Sequence, residues 1–157
     1  MPLTEKELAT FRKDGIVHLV NYLDDDTINS LLDEVKTLYS SVRLANHPKV
    51  KFETDGAISD KYFLDSSDKI HYFLDPGSDA SLTPDKTVNK IGHGLHFLND
   101  KFNAITVNDA IASTCRQLGF ANARAVQSML IIKQPNFGAA VNPHSDAEFL
   151  YTDPVSC

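Results

Sequence analysis

The stretch SMLIIKQPNFGAAVNPHSDAEFLYT, residues 128–152, places two strand-like segments around a turn. The first segment belongs to residues 124–133, whose β-branched and apolar residues predict a strand that ends at the turn of residues 134–136. The second segment, residues 144–152, is also strand-like and predicts another strand. The sequence therefore indicates that strands form the last part of the chain.

His144 and Asp146 stand two residues apart on the second of these predicted strands. Residues at this spacing point to the same face of a strand, so an imidazole nitrogen and a carboxylate oxygen can approach one ion. Such a pair supplies two of the three ligands of the 2-His-1-carboxylate triad that holds Fe(II) with open positions. A His-x-Asp pair is also expected by chance in a chain of this composition, so the spacing alone leaves a polar turn as an alternative.

The segments that precede these strands are mainly helical in pattern. Thr4 and Glu7 form a capping box flanked by Leu3 and Leu8, and this first helix is expected to end at Gly15. Residues 16–20 are β-branched and predict a buried strand. Further helices are predicted over residues 25–44 and over 99–118, the latter broken near 106–108 and capped at Gly119.

The middle of the chain alternates between polar and apolar segments. Residues 45–60 and 75–86 are rich in turn-forming residues and predict loops. Residues 61–74 predict a hairpin of two short strands around residues 65–68. His93 and His96 are spaced like residues on one face of a helical turn, and Lys90 before them resembles a solvated loop lysine.

Composition limits the classes of protein to which the chain can belong. A length of 157 residues with 42% apolar and 23% charged residues fits one globular domain. The net charge of −6 argues against nucleic acid or an anionic membrane as a partner. We expect a cytoplasmic protein, because the sequence has no signal peptide, apolar span, disulfide framework or C-terminal peroxisomal signal.

Several blocks of the sequence together resemble the phytanoyl-CoA dioxygenase family of Fe(II)/2-oxoglutarate oxygenases. Residues 128–152 resemble that family's strand, Lys-x-Pro turn, glycine and His-x-Asp motif, and KDGIVHLVNYLDDDTINSLLDEV (13–35) resembles its opening. SSDKI (66–70) and NKIGHGLH (89–96) stand between them in matching order. The resemblance implies an α+β fold over 1–157, in which a helical part leads into an incomplete double-stranded β-helix, a cupin-like jelly roll.

The same resemblance implies the cofactors and the residues that bind them. His144 and Asp146 would be Fe(II) ligands, with no catalytic residue beyond them. Lys90, Met129, His144, Ser145 and Asp146 would contact 2-oxoglutarate, which is the cosubstrate together with O₂. A lysine suits a dicarboxylate because its ammonium group can pair with a carboxylate. The primary substrate is a small molecule, and the family name suggests one that resembles an acyl-CoA.

The end of the chain departs from the family pattern. The family takes a second iron histidine and an arginine for 2-oxoglutarate from later strands, whereas the eleven residues after Asp146 contain neither. We therefore expect a C-terminally truncated form, the N-terminal half of the domain, with little activity and with exposed strands that associate. The alternatives are an inactive binding or regulatory module, and a zinc hydrolase that uses His93, His96, His144 and Asp146.

Overall fold

The computed structural model describes residues 2–51, 61–79, 83–135, 138, 140–144 and 153. Its elements, in chain order, are α1 (Glu5–Asp14), α2 (Asp25–Ser41), a 3-10 helix (Leu44–Asn46), α3 (Lys61–Leu64), β1 (Ile70–Leu74), α4 (Pro84–Thr87), β2 (Val88–His93), α5 (Leu95–Leu98), α6 (Asp100–Thr106), α7 (Asp109–Gln117) and β3 (Ser128–Ile131). Helices and a three-stranded antiparallel sheet make this an α+β arrangement, as the sequence predicts.

The first helix forms as its local signals predict. The Thr4 side chain accepts a hydrogen bond from the Glu7 N–H, and the Glu7 carboxylate accepts one from the Thr4 N–H, which completes the capping box. Gly15 ends the helix in the left-handed region at φ 74°. The Gln117 side chain bonds both the N–H and the C=O of Leu3, so the N-terminal segment is joined to the end of α7.

The predicted strand at residues 16–20 is wrong. These residues follow α1 in irregular backbone, and Ile16 and Val20 are exposed. A β-branched run favours extended backbone, but a strand also needs a partner for its N–H and C=O groups. Among the residues that the structure describes, no strand pairs with this segment.

The two long helical predictions are confirmed. Asp24 caps α2 by accepting a hydrogen bond from the Thr27 N–H at 2.7 Å, and Leu38 is buried on the inner face of α2. The helical material after residue 99 divides into α6 and α7, and the break falls at residues 107–108 as expected. Gly119 follows α7 with φ 99°, which suits a glycine after a helix end.

The predicted hairpin at residues 61–74 is half wrong, because the first strand is a helical turn. An ion pair between Lys61 and Asp65 joins residues four apart and stabilises α3. The alternation of polar and apolar residues in this segment did not predict the helix. The second strand is present as β1. The flanking loops contain two short helices, Leu44–Asn46 and α4, while residues 52–60 and 80–82 lie outside the described part.

The central strand, β2, was not predicted. It pairs antiparallel with β1 and with β3, and all six of its residues are buried. The apolar pattern of β2 is interrupted by Asn89, Lys90 and His93. The partners of these polar residues come from distant parts of the chain. The prediction of a loop at Lys90 is therefore wrong, and His93 ends β2 while His96 lies in α5.

The two faces of the sheet differ. One face packs on the helices around a buried cluster, which consists of Leu38, Leu74, Val88, Ile91 and Leu95. The opposite face carries Phe73, Lys90, Gly92, Met129 and Ile131, because these residues pair across the strands in register: Phe73 with Lys90, Lys90 with Ile131, and Gly92 with Met129. We call this the open face, because Met129 and Ile131 are partly exposed on it, although Phe63 of α3 packs over Phe73 and Lys90.

The last predicted strands are only partly described. β3 is shorter than the predicted segment 124–133. His144 is in irregular backbone, and the rest of the predicted strand 144–152 lies outside the described residues. In the described part of the chain, no helix has the length and apolar character that a bilayer crossing requires.

Candidate functional site

Lys90 is the central feature of the open face. Although it is a lysine, it is only 2% exposed, in the middle of the central strand. Its Nζ lies 5.1 Å from the centre of the Phe63 ring, on α3, and 5.2 Å from that of Phe73, on β1. Two aromatic faces within about 6 Å attract an ammonium group through their quadrupoles, which offsets part of the loss of water.

Burial also changes the acid–base behaviour of Lys90. Desolvation lowers the pKa of its ammonium group to about 8, because burial penalises the charged form. At neutral pH most molecules therefore keep the charge, and a carboxylate that approaches the open face meets a weakly hydrated cation. A cation of this kind is suited to bind a carboxylate group.

Met129 lies close to Lys90 on the same face. It stands opposite Gly92 on the neighbouring strand, and Gly92 is two residues from Lys90 along β2. Met129 is 46% exposed, and its side chain passes over the glycine, where an added Cβ would lie 3.5 Å from its Cγ. The structure therefore brings together the two residues that were expected to contact the cosubstrate outside the His-x-Asp segment.

His144 is exposed at the end of the described chain. Its Nδ1 lies 2.8 Å from the carbonyl oxygen of Asn142. A carbonyl can only accept, so Nδ1 carries a proton and donates this bond. Metal-binding histidines are commonly oriented by such a bond to a backbone carbonyl, and the arrangement fits a ligand to Fe(II) through Nε2.

The other members of the predicted metal site are not assembled within the described residues. Ser145 and Asp146 lie outside them, so the pairing of His144 with Asp146 stays a prediction. Within the described ranges, no group of three or more His, Cys, Asp or Glu residues could hold a metal ion. His93 and His96 bond to different serines, Ser66 and Ser128, which gives the zinc alternative no support.

His93 lies beside Lys90, and the contacts that hold it there were not visible in the sequence. It is buried beside Lys90, its Nδ1 lies 2.7 Å from the Ser66 hydroxyl, and its ring contacts both Phe63 and Phe73. Desolvation, together with the positive charges of Lys90 and His71, lowers the pKa of His93 to about 4. No local sequence pattern predicts these contacts, because it is the folding of the sheet that brings Ser66, Phe63 and Phe73 next to His93.

The outer edge of β1 is closed by side chains. The Tyr72 N–H donates to the Tyr62 hydroxyl at 3.2 Å, and His47 Nε2 donates to the Tyr72 carbonyl at 2.6 Å. Next to them, the Leu74 N–H donates to the Val50 carbonyl. His47 is thus half-buried rather than an exposed loop residue, and His71 stacks on Tyr62 at 4.0 Å.

Comparison with known proteins agrees with these observations. The family model described as phytanoyl-CoA dioxygenase matches residues 11–157. The chain therefore belongs to the phytanoyl-CoA dioxygenase family, and the resemblance inferred from its motifs is confirmed.

Individual relatives are similar over most of the chain. It is 41% identical over 153 residues to the phytanoyl-CoA dioxygenase domain-containing protein 1 homolog of Caenorhabditis elegans, covering 92% of this chain and 53% of that protein. It is 34% identical over 164 residues to phytanoyl-CoA dioxygenase domain-containing protein 1 of Bos taurus, covering 98% and 56%. It is 31% identical over 160 residues to the phytanoyl-CoA dioxygenase of Arabidopsis thaliana, covering 99% and 56%. The chain thus spans about half the length of these relatives.

Proposed function

We propose that this chain forms the part of an Fe(II)/2-oxoglutarate-dependent dioxygenase that binds the cosubstrate and supplies two of the iron ligands. The observation that carries the proposal is the buried ammonium group of Lys90, which shares the open face of the sheet with Met129. Membership of the family supports the same reaction class. The jelly-roll form of the complete barrel is part of the proposal.

Lys90 would bind one carboxylate of 2-oxoglutarate. Burial has already removed much of the water around the ammonium group, so its electrostatic attraction to a carboxylate would be only weakly screened. A charge-assisted hydrogen bond of this kind contributes about 1.5–3 kcal/mol. The flexible thioether of Met129 would line the apolar part of the cosubstrate next to it.

His144 and Asp146 would hold the iron, with Ser145 between them in the same binding segment. When bound, Fe(II) supplies the activation of O₂ that couples oxidative decarboxylation of 2-oxoglutarate to hydroxylation of a substrate. The bond from Nδ1 to the Asn142 carbonyl would leave Nε2 as the atom through which His144 holds the iron. The substrate is proposed to be a small molecule that resembles an acyl-CoA, as the family's name suggests.

A non-catalytic role in binding is the second candidate. Its support is the contrast between the edges of the sheet: the outer edge of β1 is closed by Tyr62, His47 and Val50, whereas β3 presents Met129 and Ile131, 46% and 41% exposed. A strand with exposed apolar residues favours pairing with another strand. In that role, β3 would bind a partner without turnover.

A decarboxylation assay separates the two candidates. The 157-residue chain is compared with the same chain continued by the unmatched part of the Caenorhabditis elegans relative, with Fe(II), ascorbate and labelled 2-oxoglutarate. We expect turnover from the extended protein, loss of turnover in its Asp146→Ala variant, and little turnover from the 157 residues alone, which contain no His or Arg after Asp146. A folded extended protein that binds neither iron nor 2-oxoglutarate would favour the binding role.

A further inference from the structure

We propose that His93, held by Ser66, is a positioning residue that keeps Phe63 and Phe73 around the Lys90 ammonium group and thereby sets the affinity of Lys90 for a carboxylate. The consequence for the cosubstrate rests on the proposed function, whereas the effect on Lys90 itself can be measured without it.

His93 anchors the segment that carries Phe63. The His93 N–H donates to the carbonyl oxygens of Lys69, at 3.0 Å, and Ser66, at 3.3 Å, while the His93 ring bonds the Ser66 hydroxyl at 2.7 Å. Ser66 in turn donates its N–H to the Phe63 carbonyl at 3.0 Å. The end of β2 therefore fixes the turn after α3, and this turn fixes Phe63.

The His93 ring touches both rings that surround Lys90. Its centre lies 5.2 Å from that of Phe63 and 5.6 Å from that of Phe73, and the two phenyl rings lie 5.6 Å from each other. Lys90 Nζ approaches the same two rings. Phe73, Lys90 and His93 are all buried, so a shift of the imidazole would move the phenyl rings or admit water to the ammonium group.

The hydrogen bonds fix the form of the imidazole. The Ser66 hydroxyl donates to the Phe63 carbonyl, so His93 Nδ1 carries a proton and donates to the Ser66 oxygen. The ring is neutral at physiological pH, since burial and the Lys90 charge both oppose its protonation. A neutral ring fills the space beside Lys90 without repelling it.

The described elements next to Lys90 present mainly aromatic and apolar side chains. From β1, the titratable residue on the open face is His71, whose Nδ1 bonds the Tyr62 carbonyl. From β3, the residue opposite Lys90 is the apolar Ile131. From α3, the contact is the Phe63 ring. His93 is therefore a polar side chain that packs against the same two phenyl rings as the ammonium group.

The experiment is an NMR titration of the 157-residue chain labelled with ¹³C at the lysine Cε, in which Lys90→Arg assigns the signal. Wild type is compared with Ser66→Ala, which removes the acceptor for His93 together with the hydroxyl donor to the Phe63 carbonyl, and with His93→Ala, which removes the ring. We expect the Lys90 midpoint to rise toward the value of a solvated lysine, by about 1 pH unit in His93→Ala and by less in Ser66→Ala. His93→Asn, whose amide can still donate to Ser66, should restore part of the wild-type midpoint.

The matched control is His96→Asn, which alters the other buried His–Ser pair, between His96 and Ser128. The His96 ring contacts Phe97, so its replacement should leave the Lys90 midpoint unchanged. An unchanged midpoint in folded Ser66→Ala and His93→Asn variants, or an equal shift in His96→Asn, would overturn the inference.

Binding of 2-oxoglutarate to the same samples, measured by calorimetry at pH 7, separates the inference from the proposed function. We expect the affinity to fall about tenfold in His93→Ala if the pair with Lys90 is weakened. If wild type binds no 2-oxoglutarate while the midpoint still shifts, the proposed function fails and the control of Lys90 by His93 stands.

Discussion

The Lys90 and His144 parts of the candidate site are built in opposite ways. Lys90 is buried in the central strand between two aromatic rings, and residues from three elements hold its surroundings. His144 is exposed in irregular backbone, oriented within the described contacts by a carbonyl two residues away. The surroundings of Lys90, the proposed cosubstrate-binding residue, therefore depend on the folding of the sheet, whereas the described hydrogen bond of His144, the proposed iron ligand, lies within its own segment.

The largest expected effect concerns His144. In the extended protein, His144→Ala should lower bound Fe(II) and reduce turnover by more than about 100-fold, since loss of even a residue that orients a ligand costs 10–100-fold. Iron content and decarboxylation rate are measured together, and the unfolding midpoint should stay within error of wild type, because the exposed side chain contributes little to packing. Full activity in this variant would remove His144 from the iron site.

Lys90→Ala should weaken the binding of 2-oxoglutarate without affecting the binding of iron. We expect the apparent requirement for 2-oxoglutarate to rise roughly 10- to 100-fold, the loss of one charge-assisted hydrogen bond, with the iron content unchanged. The matched control is Lys36→Ala, which removes an exposed lysine of α2. Loss of iron with retained binding of 2-oxoglutarate would mean that Lys90 serves the metal and not the cosubstrate.

Acid should lower the free energy of unfolding, because it protonates His93, which is buried beside Lys90. The folded protein holds the pKa of His93 at about 4, below the ordinary value of 6.5, so between these values the unfolded chain binds more protons. The free energy of unfolding should therefore be highest above pH 6.5 and fall by up to about 3 kcal/mol as the pH drops to 4.

Urea unfolding at several pH values checks this prediction. His93→Asn should flatten that part of the pH dependence, whereas His96→Asn should not. Equal slopes in wild type and His93→Asn would show that other groups cause the acid sensitivity.

The smallest effect concerns association through β3. Ile131→Thr makes the exposed edge less apolar while keeping a β-branched residue, and it should weaken self-association of the chain by a few fold. Sedimentation velocity over a range of concentrations measures the change. The control is Val20→Thr, at a more exposed apolar position outside the sheet, 72% against 41% for Ile131. An identical change there would point to non-specific association of apolar surface rather than to β3.

The sequence predicted those parts of the fold whose stabilising groups are neighbours in the chain. Thr4 with Glu7 and Asp24 with Thr27 cap their helices within three residues, so α1 and α2 could be predicted. β2 could not, because Lys90 and His93 are stabilised by Phe63, Ser66 and Phe73, which lie 17–30 residues earlier. Residues 16–20 failed for the opposite reason: local propensity is present, but no partner strand is described.

The candidate site also contains residues that the sequence pattern identified and residues that it did not. The spacing of His144 and Asp146 was visible in the sequence, whereas Lys90 and Met129 were identified only through the family resemblance. Their shared face follows from the register of β2 and β3, which local patterns do not encode.

The most direct test of the buried cation as the cosubstrate site is the affinity of the 157-residue chain for 2-oxoglutarate as a function of pH. Both carboxylates of the cosubstrate are ionised above pH 6, so Lys90 is the group whose titration should matter. With its pKa at about 8, the dissociation constant should be nearly constant from pH 6 to 7.5 and rise roughly tenfold per unit well above pH 8. Lys90→Met should bind weakly at every pH without this rise, while Lys36→Met should follow wild type. Binding that is equally tight at pH 7 and pH 9.5, or unchanged in Lys90→Met, would contradict the account.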